Sequence, residues 1–307
     1  MAFAVSMNII WSANPLLLSL LFQHSEIDEF EVVYWKSIFM NIANLFLVRY
    51  YYLIIPGSGS KEELPADVID LPSSWRKLCV LRAVFGSLAL WAFFSSVKYT
   101  SISKANILFF TGPLYVPFLA YFFIGEQISK IDVLALLMGF IGIIMINNPF
   151  SEYDSSNSEL FGGFIAALGG IFASFAWVVI RKMGGKVHFT VPPFYFSLGW
   201  TITSSILMIL NKQGQTFKPK YDFYTIIIIT IVSLSTFIGQ IFQSLAYQYE
   251  KASRVAIFYY LQTALVFFSD YLMFSTTFGY FEIIGTVLII GCNFTIALLK
   301  FLGYLEG

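Results

Sequence analysis

Amide and phenol side chains recur within long apolar stretches of the chain, where polar residues are unusual. Asn41 and Asn44 lie one helical turn apart and so share a helix face, as do Gln240 and Gln243. Such side chains offer hydrogen-bond donors and acceptors without a charge, which suits neutral or zwitterionic solutes. A row of amides can equally join neighbouring membrane helices. The candidate solute-binding residues are Asn41, Asn44, Arg82, Asn106, Gln240, Gln243, Tyr259 and Gln262.

Four charged residues in or beside apolar stretches suggest further chemistry, because a charge at the centre of a bilayer costs about 2.5–3.5 kcal/mol on insertion scales. Arg82 is either a snorkelling anchor at the membrane surface or a cation facing a cavity, paired with an anionic solute or with Glu126. Glu126 itself is either a structural hinge or cap partner, or a coupling or gating acid. Lys36 and Asp270 are expected at similar depths, where they could form a gate or a proton site. The gating or coupling candidates are therefore Lys36, Glu126 and Asp270.

Several classes of site are excluded by what the sequence lacks. Gly184-Gly185-Lys186-Val187 has neither the spacing nor the hydroxyl residue of a phosphate-binding loop, and His24 and His188 cannot form a His-Glu-x-x-His zinc site. The net charge is zero and no basic patch indicates nucleic-acid binding. We therefore expect no catalytic site, no metal, no cofactor and no nucleic-acid partner.

Ten apolar stretches must position these residues. The 307 residues are 58% hydrophobic and only 12% charged, with a mean hydropathy of +0.75. A helix needs about 20 mostly apolar residues to span a bilayer, and long uninterrupted apolar runs exclude the alternating pattern of a β-barrel. The predicted spans are Ala2–Phe22, Val32–Ile54, Leu78–Val97, Ala105–Ile124, Val133–Ile146, Leu160–Ile180, Val191–Leu210, Phe223–Tyr247, Val255–Thr277 and Phe281–Phe301.

The polar connection Asn147–Glu159 divides the spans into five and five, which predicts one repeat over residues 1–150 and a second over 151–307. Because five is odd, two homologous halves must be inverted in the membrane, as in many secondary transporters. Pro113 and Pro117 are expected to loosen the fourth span, because each removes a backbone hydrogen bond; a simple kink is the alternative. Lysine and arginine placement predicts that both termini are cytoplasmic.

The segment Leu81-Arg82-Ala83-Val84-Phe85-Gly86-Ser87 is followed by Thr111-Gly112-Pro113, Gly125-Glu126 and Gly139-Phe140-Ile141-Gly142. This arrangement resembles the EamA-type branch of the drug/metabolite transporter superfamily, including the related group within solute carrier family 35. The resemblance implies an all-α carrier of about ten transmembrane helices in two inverted five-helix repeats. It also implies movement of small organic solutes by alternating access.

We therefore expect an integral, multi-pass secondary transporter whose partners are membrane lipid and a small-molecule solute, and which is compatible with a homodimer. The alternative is a non-transporting membrane scaffold or regulator built on the same fold, since fold alone does not fix function.

Overall fold

The computed structural model describes residues 1–25, 27, 29–54, 71–100, 102–147, 157–211, 221–274 and 279–304. Within these ranges the chain is helical and has no strand, which confirms the all-α prediction. The helices are α1 (Ala2–His24), α2 (Glu29–Ile54), α3 (Ser73–Ser96), α4 (Ile102–Phe109), α5 (Gly112–Ile124), α6 (Lys130–Asn147), α7 (Asn157–Met183), α8 (Val191–Asn211), α9 (Phe223–Tyr249), α10 (Ala252–Phe274) and α11 (Tyr280–Phe301).

The outer surface of the bundle is apolar. Ile42, Phe122 and Ile209 are among many large apolar side chains that are more than half exposed. Such a surface is stable against lipid tails, and helices satisfy their own backbone hydrogen bonds there. Five segments of the described residues are long and apolar enough to cross a membrane: Ala2–Phe22, Ser73–Ser96, Ala105–Ile124, Asn157–Lys186 and Phe223–Tyr249.

The fourth span is broken into α4 and α5 just before Pro113, whereas Pro117 lies inside the continuous helix α5. Pro113 lies in the first turn of α5, where its missing N–H removes a hydrogen bond to the preceding turn. The hydroxyl of Ser174 on α7 donates to the carbonyl oxygen of Gly112 at 2.7 Å and so joins α7 to the start of α5. Gly170 allows this approach, since a β-carbon there would lie 2.5 Å from the carbonyl oxygen of Phe109.

The helix contacts repeat when the two halves are exchanged. With α4 and α5 counted as one span, α3 packs on α7 and α8, and its counterpart α9 packs on α1 and α2. Likewise α5 packs on α7, and α10 packs on α1. The pairs α2–α8 and α6–α11 map onto themselves. This pattern is the one expected when a pseudo-two-fold axis relates the two halves. It agrees with the predicted inverted five-helix repeats.

Gly142 on α6 and Gly285 on α11 contact each other reciprocally at this axis. A β-carbon on Gly142 would lie 2.7 Å from the carbonyl oxygen of Gly285, and one on Gly285 would lie 2.6 Å from that of Gly142. Both are closer than real β-carbon contacts. Small residues at this crossing therefore allow the backbones of the two halves to touch.

Candidate functional site

Arg82 lies inside the bundle, on the tenth residue of α3, and only 3% of its surface is exposed. Its Nη2 donates to Oε1 of Gln243 at 3.1 Å and to Oε1 of Gln240 at 3.3 Å, both on α9. Its guanidinium carbon lies 4.3 Å from the ring centroid of Phe196 on α8. The structure thus places Arg82 in the interior and not at the surface, so the snorkelling interpretation does not describe it.

Aromatic side chains continue this polar cluster toward α7 and α10. Nε2 of Gln243 donates to the hydroxyl of Tyr259. The ring of Tyr259 stacks on Trp177 with centroids 4.2 Å apart, and its centroid lies 6.3 Å from that of Trp11. We call Arg82, Gln240, Gln243, Tyr259, Trp177 and Phe196 the Arg82 site.

Gly86 makes room for the guanidinium. It follows Arg82 by one turn of α3, and a β-carbon there would lie 2.2 Å from Nη1 of Arg82 and 2.8 Å from the Phe196 ring. Any larger residue would force the guanidinium or the ring to move. The Arg-x-x-x-Gly spacing in the sequence could therefore have indicated that Gly86 leaves space for the guanidinium of Arg82.

The positive charge of Arg82 is not neutralised within the described part of the chain. No carboxylate there forms an ion pair with it, and its buried Nε has no hydrogen-bond partner. The side chain of Asp270 lies outside the described residues. However, Asp270 follows Tyr259 by eleven residues on α10, which places its backbone about 16 Å farther along the helix.

Glu126 is paired with Arg181 and not with Arg82. Nε of Arg181 donates to Oε1 of Glu126, while the backbone N–H of Ala252 donates to Oε2 at 3.1 Å. Nη1 of Arg181 also donates to the carbonyl oxygens of Tyr247 and Gln248 at 3.3 and 3.2 Å. The pairing of Arg82 with Glu126 that the sequence left open is therefore wrong.

A second group of buried charges lies at the same end of the bundle, the end that carries Met1. Nη1 of Arg254 lies 3.3 Å from Oε1 of Glu250, and its Nε lies 3.8 Å from Oδ1 of Asp132. The hydroxyl of Ser253 donates to Oδ2 of Asp132 at 3.0 Å. The sequence did not point to this group, because Asp132 lies 121 positions before Ser253 in the chain. Together with the Glu126–Arg181 pair they form the Met1-end ion pairs.

The Met1-end ion pairs lie directly below the Arg82 site. Tyr247, whose carbonyl oxygen accepts from Arg181, follows Gln243 by only one turn of α9. These pairs join α7 to the segment after α5, and they join α10 to α6 and to the end of α9.

Asn41 and Asn44 join α2 to α8. Nδ2 of Asn41 donates to the hydroxyl of Thr201, and its Oδ1 accepts from the hydroxyl of Ser197 at 2.7 Å. Nδ2 of Asn44 lies 3.4 Å from the same Ser197 hydroxyl. These contacts match the interhelical alternative that the sequence left open.

The other candidates fall outside the Arg82 site. Asn106 on α4 and Gln262 on α10 are partly buried, and neither side chain has a hydrogen bond to a described residue. Lys36 places its Nζ 5.3 Å from the ring centroid of Trp200. Because the side chain of Asp270 is not described, its pairing with Lys36 stays a prediction.

The Arg82 site can hold an anionic group beside a flat surface. A guanidinium binds a carboxylate or phosphate through a planar fork of N–H donors, and the stacked Trp177 and Tyr259 rings offer an apolar face next to it. The amide groups of Gln240 and Gln243 fix the orientation of the fork. Among the described residues, no group of acidic, cysteine or histidine side chains could hold a metal ion.

Comparisons with known proteins agree on the class of protein. The chain is 25% identical to a probable transport protein of Saccharomyces cerevisiae over 256 residues, covering 76% of this chain and 72% of that one. It is 27% identical to solute carrier family 35 member G1 of Homo sapiens over 237 residues, covering 75% and 64%. It is 29% identical to the pseudopaline exporter of Pseudomonas aeruginosa over 184 residues, covering 60% and 62%.

A solved crystal structure shares the fold, with a TM-score of 0.77 and 16% identity, covering 97% of this chain and 96% of that one. The EamA-like transporter family matches residues 1–148 and 160–298, which is nearly the whole chain. The chain is therefore a membrane transport protein that belongs to the EamA-like transporter family.

Proposed function

We propose that the protein is a secondary transporter that moves a small organic anion by alternating access and binds its anionic group at Arg82. The observation that carries this proposal is the buried guanidinium, which has no carboxylate partner among the described residues. The amide oxygens of Gln240 and Gln243 stabilise the charge but do not neutralise it. A buried, unpaired charge is strongly destabilising, so a residue of this kind is expected to have a functional partner.

A carboxylate or phosphate is the partner that best fits the geometry. Two hydrogen bonds from one guanidinium to one anionic group are short, directional and charge-assisted. Nε of Arg82 is buried and still has a donor to offer. The stacked rings of Trp177 and Tyr259 would then contact the organic part of the solute.

Two features support alternating access. Ion pairs lie at the Met1 end of the bundle, where such contacts can form and break as a gate. The inverted halves pack around a pseudo-two-fold axis, the architecture in which one repeat rocks against the other. We place the Met1 end in the cytoplasm, because most lysines and arginines then lie on the cytoplasmic side. The apolar surface contacts lipid, and a homodimer stays a prediction.

Counterflow in proteoliposomes tests this function. Purified protein would be loaded with one unlabelled anion at a time, from a panel of small carboxylates and phosphate esters, and uptake of the labelled anion would be measured. We expect saturable uptake of at least one anion, and its loss in Arg82→Gln. Arg49→Gln, which removes an exposed arginine of α2, is the matched control. Saturable uptake of neutral solutes alone would contradict the anion proposal, and no saturable flux of any solute would favour the scaffold alternative.

A further inference from the structure

A second cation, Lys36 on α2, lies within the same bundle. Its Nζ lies 5.3 Å from the ring centroid of Trp200, and no acidic group among the described residues forms an ion pair with it. An aromatic face attracts an ammonium but does not neutralise its charge. Within the described part of the chain, Lys36 therefore resembles Arg82 in being a cation that is held in place but has no acidic partner.

Two stacked rings connect Lys36 to Arg82. Phe196 and Trp200 lie one turn apart on α8 with centroids 5.5 Å apart, and they are only 5% and 6% exposed. Arg82 lies over Phe196 and Lys36 lies over Trp200. One turn of α8 separates the rings by about 6 Å along the helix axis, so the ammonium lies farther from the Met1 end than the guanidinium does.

We propose that Lys36 forms a second anion subsite, so that the transported solute carries two anionic groups, one bound at Arg82 and one at Lys36. This inference rests on the proposed function. Two unneutralised positive charges in a space of low dielectric repel each other. A solute with one anionic group compensates only one of them, whereas a dianion compensates both. The fork of Arg82 and the point charge of Lys36 then hold the two ends of the solute at different depths.

Pairs of solutes that differ by one anionic group test the inference. Succinate would be compared with butyrate, and 3-phosphoglycerate with glycerate, as competitors of saturable uptake in proteoliposomes. We expect the wild-type protein to prefer at least one dianion by about 10-fold or more, in the range of discrimination that a close charge pair provides. Lys36→Gln should reduce this preference to near unity.

Two further variants separate charge from structure. Lys36→Arg retains the positive charge and should retain the dianion preference. If Lys36→Gln does not fold, Lys36→Arg becomes the decisive measurement. Lys182→Gln removes an exposed lysine at the end of α7 and should change nothing. Loss of the preference in Lys36→Arg, with the protein folded, would contradict a subsite based on charge.

The inference is overturned if the wild-type protein shows no dianion preference, or if Lys36→Gln keeps it. In either case the proposed function stands, provided that monoanion uptake is saturable and depends on Arg82. If no anion in the panel is taken up or inhibits uptake, the proposed function fails, and the second subsite fails with it.

Discussion

Replacing Arg82 separates its role in solute binding from its role in stability, and the two effects have opposite signs. Arg82→Met retains most of the side-chain volume and its packing on Phe196 but removes the charge. Replacement of a buried charge by an apolar residue of similar volume is often neutral or stabilising, by about 1–4 kcal/mol. We therefore expect the solute-free variant to unfold at the same temperature as the wild-type protein or at a higher one.

Solute binding should change in the other direction. Loss of one partner of a buried, hydrogen-bonded charge pair costs about 2–5 kcal/mol. Each 1.36 kcal/mol corresponds to a factor of ten, so 3 kcal/mol is a rise of about 150-fold in Kd. Arg82→Lys keeps the charge but lacks the planar fork, so its rise in Kd should be smaller.

Thermal unfolding of the detergent-solubilised protein measures both effects in one series. The Tm of each variant is recorded with increasing concentrations of the transported anion, because a ligand that binds only the folded state raises Tm. The wild-type Tm should rise with anion concentration, and that of Arg82→Met should stay constant from a starting value that is no lower. A large fall in Tm for the solute-free variant, or an anion-dependent rise equal to that of the wild-type protein, would refute the reasoning.

Three other perturbations have defined outcomes. Gly86→Ala places a β-carbon on the guanidinium and should raise the KM of anion uptake about ten-fold or more, whereas Gly185→Ala, which meets no atom within 4 Å, should not. Glu126→Gln weakens a Met1-end ion pair and should speed alkylation of the buried thiol of Cys79, measured by mass spectrometry. The double variant Glu126→Arg with Arg181→Glu exchanges the two charges and should restore slow alkylation. Burial lowers the pKa of His188 from 6.5 to about 4, so the folded state favours the neutral ring. The contribution of His188 to stability is thus complete above about pH 6.5 and is lost as the pH falls toward 4; His188→Gln should flatten the dependence of Tm on pH in this window, and an unchanged slope would contradict this account.

The fold followed from hydropathy because the bilayer imposes the length of each span. Apolar runs marked the helices, and Pro113 marked the break between α4 and α5, since proline removes the same donor in any context. The inverted arrangement followed from the odd number of spans in each half. Helix ends were less accurate, and α7 extends beyond the predicted Leu160–Ile180 at both ends, because polar terminal turns carry no apolar signal.

The Arg82 site was only partly visible in the sequence. Arg82, Gln240, Gln243 and Tyr259 stood out because polar side chains are rare within apolar runs, and the structure brings them together. Phe196 and Trp177 did not stand out, because 19% of all residues are aromatic. The roles of Asn41 and Asn44 depend on which helix each face meets, which a single sequence does not encode.

The pairing of Glu126 with Arg181 shows a further limit of the sequence. The two residues lie 55 positions apart in the chain, whereas the sequence had suggested Arg82 as a partner of Glu126. The sequence alone therefore does not show whether Arg82 or Arg181 contacts the carboxylate of Glu126. Only the lateral arrangement of α3, α5 and α7 decides between them.

The reciprocal contact of Gly142 and Gly285 has a consequence for the opposite-facing state. Under the proposed mechanism, that state arises when each half takes on the shape that the other half has now. Each helix pair then adopts the packing that its counterpart has now. A pair that lies on the pseudo-two-fold axis is its own counterpart, so its packing does not change. The α6–α11 crossing is such a pair, so it can serve as a stationary pivot, and a covalent bridge across it should leave turnover intact where a bridge across α3–α7 would arrest it.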